Sequence, residues 1–294
     1  MSEQTETTAK LDQVDLSEGW AKLKDRKPDL YLDVRFGAQT DLGRVRENNE
    51  DKFAFFEPEE PEIMAVKGSL YAVADGMGGH SSGQIASEIG LKTLLKSYYG
   101  DPNEDVSASL CSSLRMANSY IYDAGRMIVG REGMGTTCIC LVLRDDDAYI
   151  GHVGDSRLYL IRGGEIRQVS EDHSWIAEQV RRGALTADEA QNSPFRNVIT
   201  RSLGAAADVE PDVYQEKLQR DDVFVLCSDG LSGYVTDAEI LEIAGSWSPA
   251  MASLKLIDRA NDNGGGDNIT VLIVAVRDIA KPGKQGRLKR LFGR

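Results

Sequence analysis

Residues 136–169 read TTCICLVLRDDDAYIGHVGDSRLYLIRGGEIRQV, and this stretch decides the fold. Four runs, Thr136 to Leu143, Ala148 to Val153, Arg157 to Ile161 and Glu165 to Val169, have strand length and composition. They are separated by an aspartate-rich turn, by Gly154-Asp155-Ser156 and by Gly163-Gly164. A parallel connection needs a crossover of a dozen or more residues, so links this short predict antiparallel neighbours.

Upstream, strands are predicted at Lys52 to Phe56 and at Leu70 to Ala74, the second ending in Asp75-Gly76-Met77-Gly78-Gly79. A helix follows, capped by Ser81 or Ser82, with Leu91, Leu94, Leu95 and Tyr98 on one face. Val106, Leu110, Leu114, Ala117 and Ile121 carry a second helix. Downstream, a charged, partly helical excursion precedes the apolar run Val223 to Cys227 and Ser228-Asp229-Gly230. Thr236 and Glu239 have capping-box spacing, and Ser248-Pro249 has the form of an N-cap followed by proline at the first helical position. Gly264-Gly265-Gly266-Asp267-Asn268 then leads into a last strand, Ile269 to Val276. This order predicts an α+β layer protein with antiparallel sheets and helices outside. One domain is expected over residues 36–278, after a partly flexible extension, 1–35, and before a basic tail, 279–294.

The 294 residues include 47 acids and 34 bases, a formal net charge of −13. Such a balance argues against generic binding to nucleic acid, which needs clustered Lys and Arg. At 41% hydrophobic and 28% charged, the chain can bury a core. Cys111, Cys138, Cys140 and Cys227 form no CxxC pair and read as reduced core residues. Neither a run of about 18 apolar residues nor a targeting pattern is evident, so a cytoplasmic monomer is expected. The tail from Lys281 holds six bases and no acid. It reads as a solvated segment or a tether to an acidic partner or anionic surface.

Three carboxylates stand where strand ends would aim them at one rim. Asp75 and Asp229 follow apolar strands and precede glycine, and Asp267 precedes the last strand. Each Asp-Gly alone is an ordinary turn, but unpaired carboxylates gathered at a core edge are costly unless cations occupy the site. Oxygen-only donors indicate hard ions such as Mg²⁺ or Mn²⁺. No Gly-Lys-Ser/Thr follows either glycine run, which excludes a P-loop.

The ordered set Gly43-Arg44-Val45-Arg46-Glu47-Asn48-Asn49-Glu50-Asp51, Asp75-Gly76-Met77-Gly78-Gly79, Gly135-Thr136-Thr137, Gly154-Asp155-Ser156-Arg157, Ser228-Asp229-Gly230 and Gly266-Asp267-Asn268 resembles the metal-dependent protein phosphatases of the type 2C class, the bacterial members in particular. The resemblance runs from about Phe36 to Val276. It implies two packed antiparallel sheets flanked by pairs of helices, an α-β-β-α sandwich with a metal centre at one end. It further implies two ions, Mn²⁺ or Mg²⁺, bridged by Asp75, with the Gly76 carbonyl on the second and Asp229 and Asp267 on the first. A third ion would lie near Asp155, beside Asp229; Asp155 can equally be a hairpin-turn residue. Glu50 and Asp51 would orient metal-held water, and Arg46 would bind the phosphate, unless it merely pairs with neighbouring acids. The segment 174–201 would be a flap bordering the site, or else a solvated helical hairpin.

The activity so implied is hydrolysis of phosphoserine and phosphothreonine in proteins, by a metal-activated water attacking phosphorus directly and reversing a serine/threonine kinase. An inactive phospho-binding scaffold and a phosphatase of small metabolites are the competing readings. Where animal members carry a histidine, this chain has Met77, which cannot donate a proton, so water on the metals is expected to serve as the acid. His80 reads as a helix-entry or packing residue, and His152 and His173 have weaker claims.

Overall fold

The structure is a computed structural model and describes residues 26–78, 82–186, 189, 193–195 and 198–281. One five-stranded sheet has the spatial order β1 (Tyr31–Asp41), β12 (Ile269–Ala280), β11 (Val223–Cys227), β8 (Arg157–Arg162), β9 (Glu165–Gln168). The other runs β10 (Asp212–Lys217), β7 (Asp147–Val153), β6 (Cys138–Arg144), β3 (Ser69–Ala74), β2 (Lys52–Phe56). A short ribbon pairs β4 (Gly76–Met77) with β5 (Gly135–Thr136). Pairings within both sheets are antiparallel.

The sheets stack face to face, and the period-two alternation of each inner strand divides its residues between two cores. Tyr71 and Val73 of β3, Phe224 and Leu226 of β11, and Leu272 and Val274 of β12 fill the space between the sheets. The alternate residues of β3, Leu70 and Ala72, face α2 (Ser82–Gly100) and α3 (Val106–Met127) through Leu91, Leu94, Tyr98, Leu110 and Leu114. Those of β11 and β12, Val225, Val271 and Ile273, face α6 (Asp237–Ser246) and α7 (Pro249–Asp262) through Ile240, Leu256 and Ile257. Burial on both faces explains why these strands read as continuous apolar runs. In the chain, α1 (Pro61–Lys67) follows β2 and the single turn α5 (Asp229–Ser232) follows β11. The segment after β9 contains α4 (Trp175–Arg181).

The expected helical faces are buried as predicted, and Thr236 and Glu239 form the capping box at the start of α6. Pro249 occupies the first turn of α7, but the Ser248 side chain makes no capping bond. Ser82 begins α2, while Ser81 lies outside the described residues. The four cysteines are free, three buried and Cys111 half-buried.

The structure corrects the meander in one place. β7 and β8 are not neighbours: β7 pairs with β6 and β10, and β8 with β9 and β11. Gly154-Asp155-Ser156 therefore carries the chain from one sheet to the other. Gly154 sits at φ +116, where side chains are disfavoured, and a Cβ there would overlap Thr137. The edge strand β1 starts at Tyr31, ahead of the boundary expected at Phe36, and pairs with β12 as far as Ala280, beyond Asp278. Among the described residues no helix is long and apolar enough to cross a membrane.

Candidate metal centre

The antiparallel register Cys227↔Val271 brings the end of β11 beside the start of β12, so Asp229 and Asp267 share a rim. Asp75 reaches it from the other sheet, at the end of β3. Its backbone is fixed on both sides: the N–H donates to Thr137 Oγ1 (2.9 Å), and the carbonyl accepts from Thr137 N (2.8 Å) and Thr136 Oγ1 (2.8 Å). Gly76 follows in a space with no room for a side chain, because a Cβ would overlap the carbonyl oxygens of Gly83 and Glu50. Asp155 enters at the crossing between the sheets. Asp51, directly before β2, is buried and accepts from Ser228 Oγ at 2.6 Å.

These carboxyls strain one another. Burial pushes Asp75 well above the usual carboxylate range, and Asp51, Asp229, Asp155 and Asp267 add to the effect. Burial also moves Asp51 up to about 7, with Asp229 and Asp267 contributing and the Ser228 hydroxyl opposing. Asp155 rises to about 7 through burial, then through Asp229 and Asp172. Asp229 is raised by burial and by Asp267. Asp51 Oδ1 and Asp155 Oδ1 are buried without a hydrogen-bond partner. A buried, partnerless anionic oxygen among like charges is what a cation relieves, and an all-oxygen donor set suits a hard divalent ion. The residues present therefore fit a divalent centre. Among the described residues no three His, Cys, Asp or Glu side chains already close around one point. Asp267 instead accepts from Arg46 Nη2 at 2.7 Å.

The profile of the protein phosphatase 2C family matches residues 37–269. The chain belongs to this family. It is 35% identical over 251 residues to the serine/threonine phosphatase stp of Listeria monocytogenes, covering 84% of this chain and 97% of that one. It resembles the solved serine/threonine phosphatase Stp1 from Staphylococcus aureus with a TM-score of 0.77 and 31% identity, over 87% of this chain and 99% of that one. The catalytic domain of the serine/threonine protein phosphatase PstP, solved in complex with two manganese ions, matches with a TM-score of 0.72 and 35% identity, over 83% and 99%. The α-β-β-α sandwich is the fold of these relatives, and the family implies a dinuclear metal centre.

Arg46 lies at the rim, its guanidinium held charged first by the hydrogen bond to Asp267, with Glu50 and Asp75 also in reach. The pairing with a neighbouring acid and the place beside the cluster are thus both present. Glu50 is anchored through its backbone, the N–H to Asn268 Oδ1 (2.8 Å) and the carbonyl to Ser87 Oγ (2.6 Å). Its carboxylate lies against Gly83 in the first turn of α2. His80 falls outside the described residues. Met77 is half-buried in β4, opposite Gly135. His152 is fully buried in β7, where burial pushes it down to about 3 and keeps it neutral.

Sequence reasoning passed over several residues that build the site. Asn268 donates to the carbonyls of Leu42 (3.0 Å) and Asn48 (2.9 Å) while accepting from Glu50, so one buried amide shapes the loop that carries Arg46. Its signal was its place directly after Asp267, since a buried amide must find partners. Ser228 Oγ accepts from Thr270 N (3.0 Å) and donates a hydrogen bond to Asp51 Oδ2 (2.6 Å). In the segment after β9, Ser174 caps α4 through Ala177 N and bridges Ile199, and the rings of Trp175 and Phe195 meet edge to face.

Proposed function

We propose that Asp75, the Gly76 carbonyl, Asp229 and Asp267 hold two divalent ions, Mn²⁺ or Mg²⁺, and that a third binds near Asp155. The two buried carboxylate oxygens without partners, on Asp51 and Asp155, inside a group of mutually repelling acids, carry this reading. The reaction is metal-dependent hydrolysis of phosphoserine and phosphothreonine in proteins, opposite to the work of a serine/threonine kinase. Bound ions of this kind offset the charge of a phosphate dianion and make water a competent nucleophile at neutral pH.

The residues of the chain supply the rest. Arg46, its side chain half exposed at the rim, is the phosphate ligand: its planar fork can hold two non-bridging oxygens. In the structure one nitrogen of the same fork donates to Asp267. Asn268 keeps the 42–50 loop in place, so Arg46 and Glu50 are presented together. Ser228 fixes Asp51 through one oxygen and leaves the other free to face the centre. Glu50 and Asp51 orient water there.

Phosphate release from a phosphothreonine peptide and from a sugar phosphate, with and without Mn²⁺, tests this in the full chain and in Asp229→Asn. Metal-dependent release from the peptide, lost in the variant, is expected. Release without metal, or undiminished by the substitution, overturns the assignment, and preference for the sugar phosphate overturns the substrate class.

A further inference from the structure

His173 stands where the crossing between the sheets meets the base of the segment after β9. Its backbone N–H donates to the Gly154 carbonyl at 2.8 Å, and its ring Nδ1 accepts from the Gly154 N–H at 3.0 Å. Gly154 is thus gripped at two points in its positive-φ conformation, directly before Asp155. On the opposite edge of the ring, Nε2 lies 2.9 Å from Asp212 Oδ2, and Asp212 Oδ1 accepts from Arg201 Nη1 at 3.0 Å. The His173 carbonyl accepts from Thr200 N at 2.8 Å, while Trp175 N–H donates to the Val198 carbonyl at 2.8 Å. The two ends of the 174–201 segment are therefore closed together at His173.

The tautomer follows from the partners. Because Nδ1 accepts, the proton of the neutral ring is on Nε2 and is donated to Asp212. Burial holds the imidazole below its ordinary pKa, which agrees with a neutral ring. The His152 ring, with centroid 4.5 Å away, backs it on one side. Neither alternative satisfies both partners: a ring flip would set Cδ2–H against the Gly154 N–H, and the other tautomer would set Nδ1–H against it.

We infer that His173 is a positioning residue with two separable tasks: Nδ1 fixes the Gly154-Asp155 turn, and Nε2, through Asp212 and Arg201, fixes the neck of the 174–201 segment. The consequence for metal binding rests on the reading of Asp155 as a ligand of a third ion; the two mechanical tasks do not. A histidine that merely filled space would loosen both places together when replaced.

Asparagine and glutamine separate the tasks. In His173→Asn the amide oxygen can stand in for Nδ1, and the bond to Asp212 is lost; in His173→Gln the amide nitrogen can stand in for Nε2, and the bond to Gly154 is lost. Hydrogen exchange is followed in the full chain with Mn²⁺ present, in peptides spanning 153–157 and 198–203, together with the number of Mn²⁺ ions bound by calorimetry. His173→Gln is expected to speed exchange in the turn about tenfold, the worth of one hydrogen bond, to spare the neck, and to weaken the weakest Mn²⁺ site. His173→Asn is expected to do the reverse at both peptides and to keep that site. Asp212→Asn touches only the Nε2 side and should repeat the His173→Asn pattern, which guards against a misfolded variant. Equal acceleration at both peptides in both histidine variants, or none at either, overturns the inference. Asp155→Asn judges the other premise separately: an unchanged Mn²⁺ count there removes the third-ion reading, while the exchange data still decide the role of His173.

Discussion

Replacing Asp51 by asparagine should stabilise the metal-free protein and weaken its response to metal. Asp51 is buried, and its pKa stands at about 7 against an ordinary 3.8. The sign follows from proton counting. Between pH 3.8 and 7 the folded chain holds a proton on Asp51 that the unfolded chain has released, so stability falls as pH rises across that range and levels off above it. At about 1.4 kcal/mol per pKa unit, burying Asp51 costs the fold about 4 kcal/mol at pH 8, where the group is ionised, and about 2 kcal/mol at pH 5, where it must take up a proton. Asparagine keeps an acceptor for Ser228 and carries no charge. In EDTA at pH 8 the variant should therefore melt roughly 8–16 °C higher, taking about 2–4 °C per kcal/mol for a domain of this size. The advantage should shrink steadily toward pH 5. His152, neutral in the fold, weakens both proteins alike on acidification and drops out of the difference between them, which reports Asp51 together with the relief of its neighbour Asp75. Mn²⁺ at a hundredfold excess over Kd should stabilise the wild type by about 3 kcal/mol per site, and the variant by less. Calorimetry across pH, with EDTA and with Mn²⁺, measures all of this. A wild type as stable as the variant in EDTA at pH 8, or a difference independent of pH, would refute the reasoning.

Arg46→Ala should lower kcat/KM on a phosphopeptide about a hundredfold while leaving Mn²⁺ binding within a fewfold of wild type, and Arg46→Lys should recover only part of the loss, because an ammonium cannot hold two oxygens in one plane. Gly76→Ala places a methyl against the carbonyls of Gly83 and Glu50, so its Mn²⁺ affinity and phosphatase rate should both fall at least tenfold; a fully active variant would show that the close approach is dispensable. Thr236→Ala breaks the capping box of α6, in which the Thr236 side chain bonds to Glu239 and to no carboxylate of the centre; a loss of about 1 kcal/mol in urea unfolding is expected with the phosphatase rate unchanged.

Where burial on both faces or helical periodicity wrote a strong pattern, the elements were legible: β3, β6, β11 and the apolar faces of α2 and α3 stand as predicted. β1 was not read, although Leu32, Val34, Phe36 and Ala38 alternate toward the core between the sheets, because interleaved Asp33 and Arg35 and the lower apolar content of an edge strand diluted the signal. β10 escaped for the same reason, with Asp212, Gln215, Glu216 and Lys217 facing outward or half-exposed. The crossing at Gly154 was misread because a three-residue link serves equally for a hairpin and for a step between stacked sheets, and only the partners of β7 and β8 distinguish them. Carboxylates at strand ends were visible as a set. The groups around them, Asn268, Ser228, Thr137 and His173, act through a few hydrogen bonds each to residues distant in sequence, which leave no local pattern.

The acids of the centre do not come from one layer. Asp75 and Asp51 border strands of one sheet, Asp229 and Asp267 border strands of the other, and Asp155 lies on the link that passes between them. The site is consequently a seam, and a small sliding of one sheet over the other would pull its two halves out of alignment. Ions held across that seam would act as rivets between the layers, and the shear stiffness of the apolar filling between the sheets becomes part of what sets metal affinity. On the proposed reading of these acids, the alignment of two stacked sheets and the assembly of a metal centre are the same mechanical event.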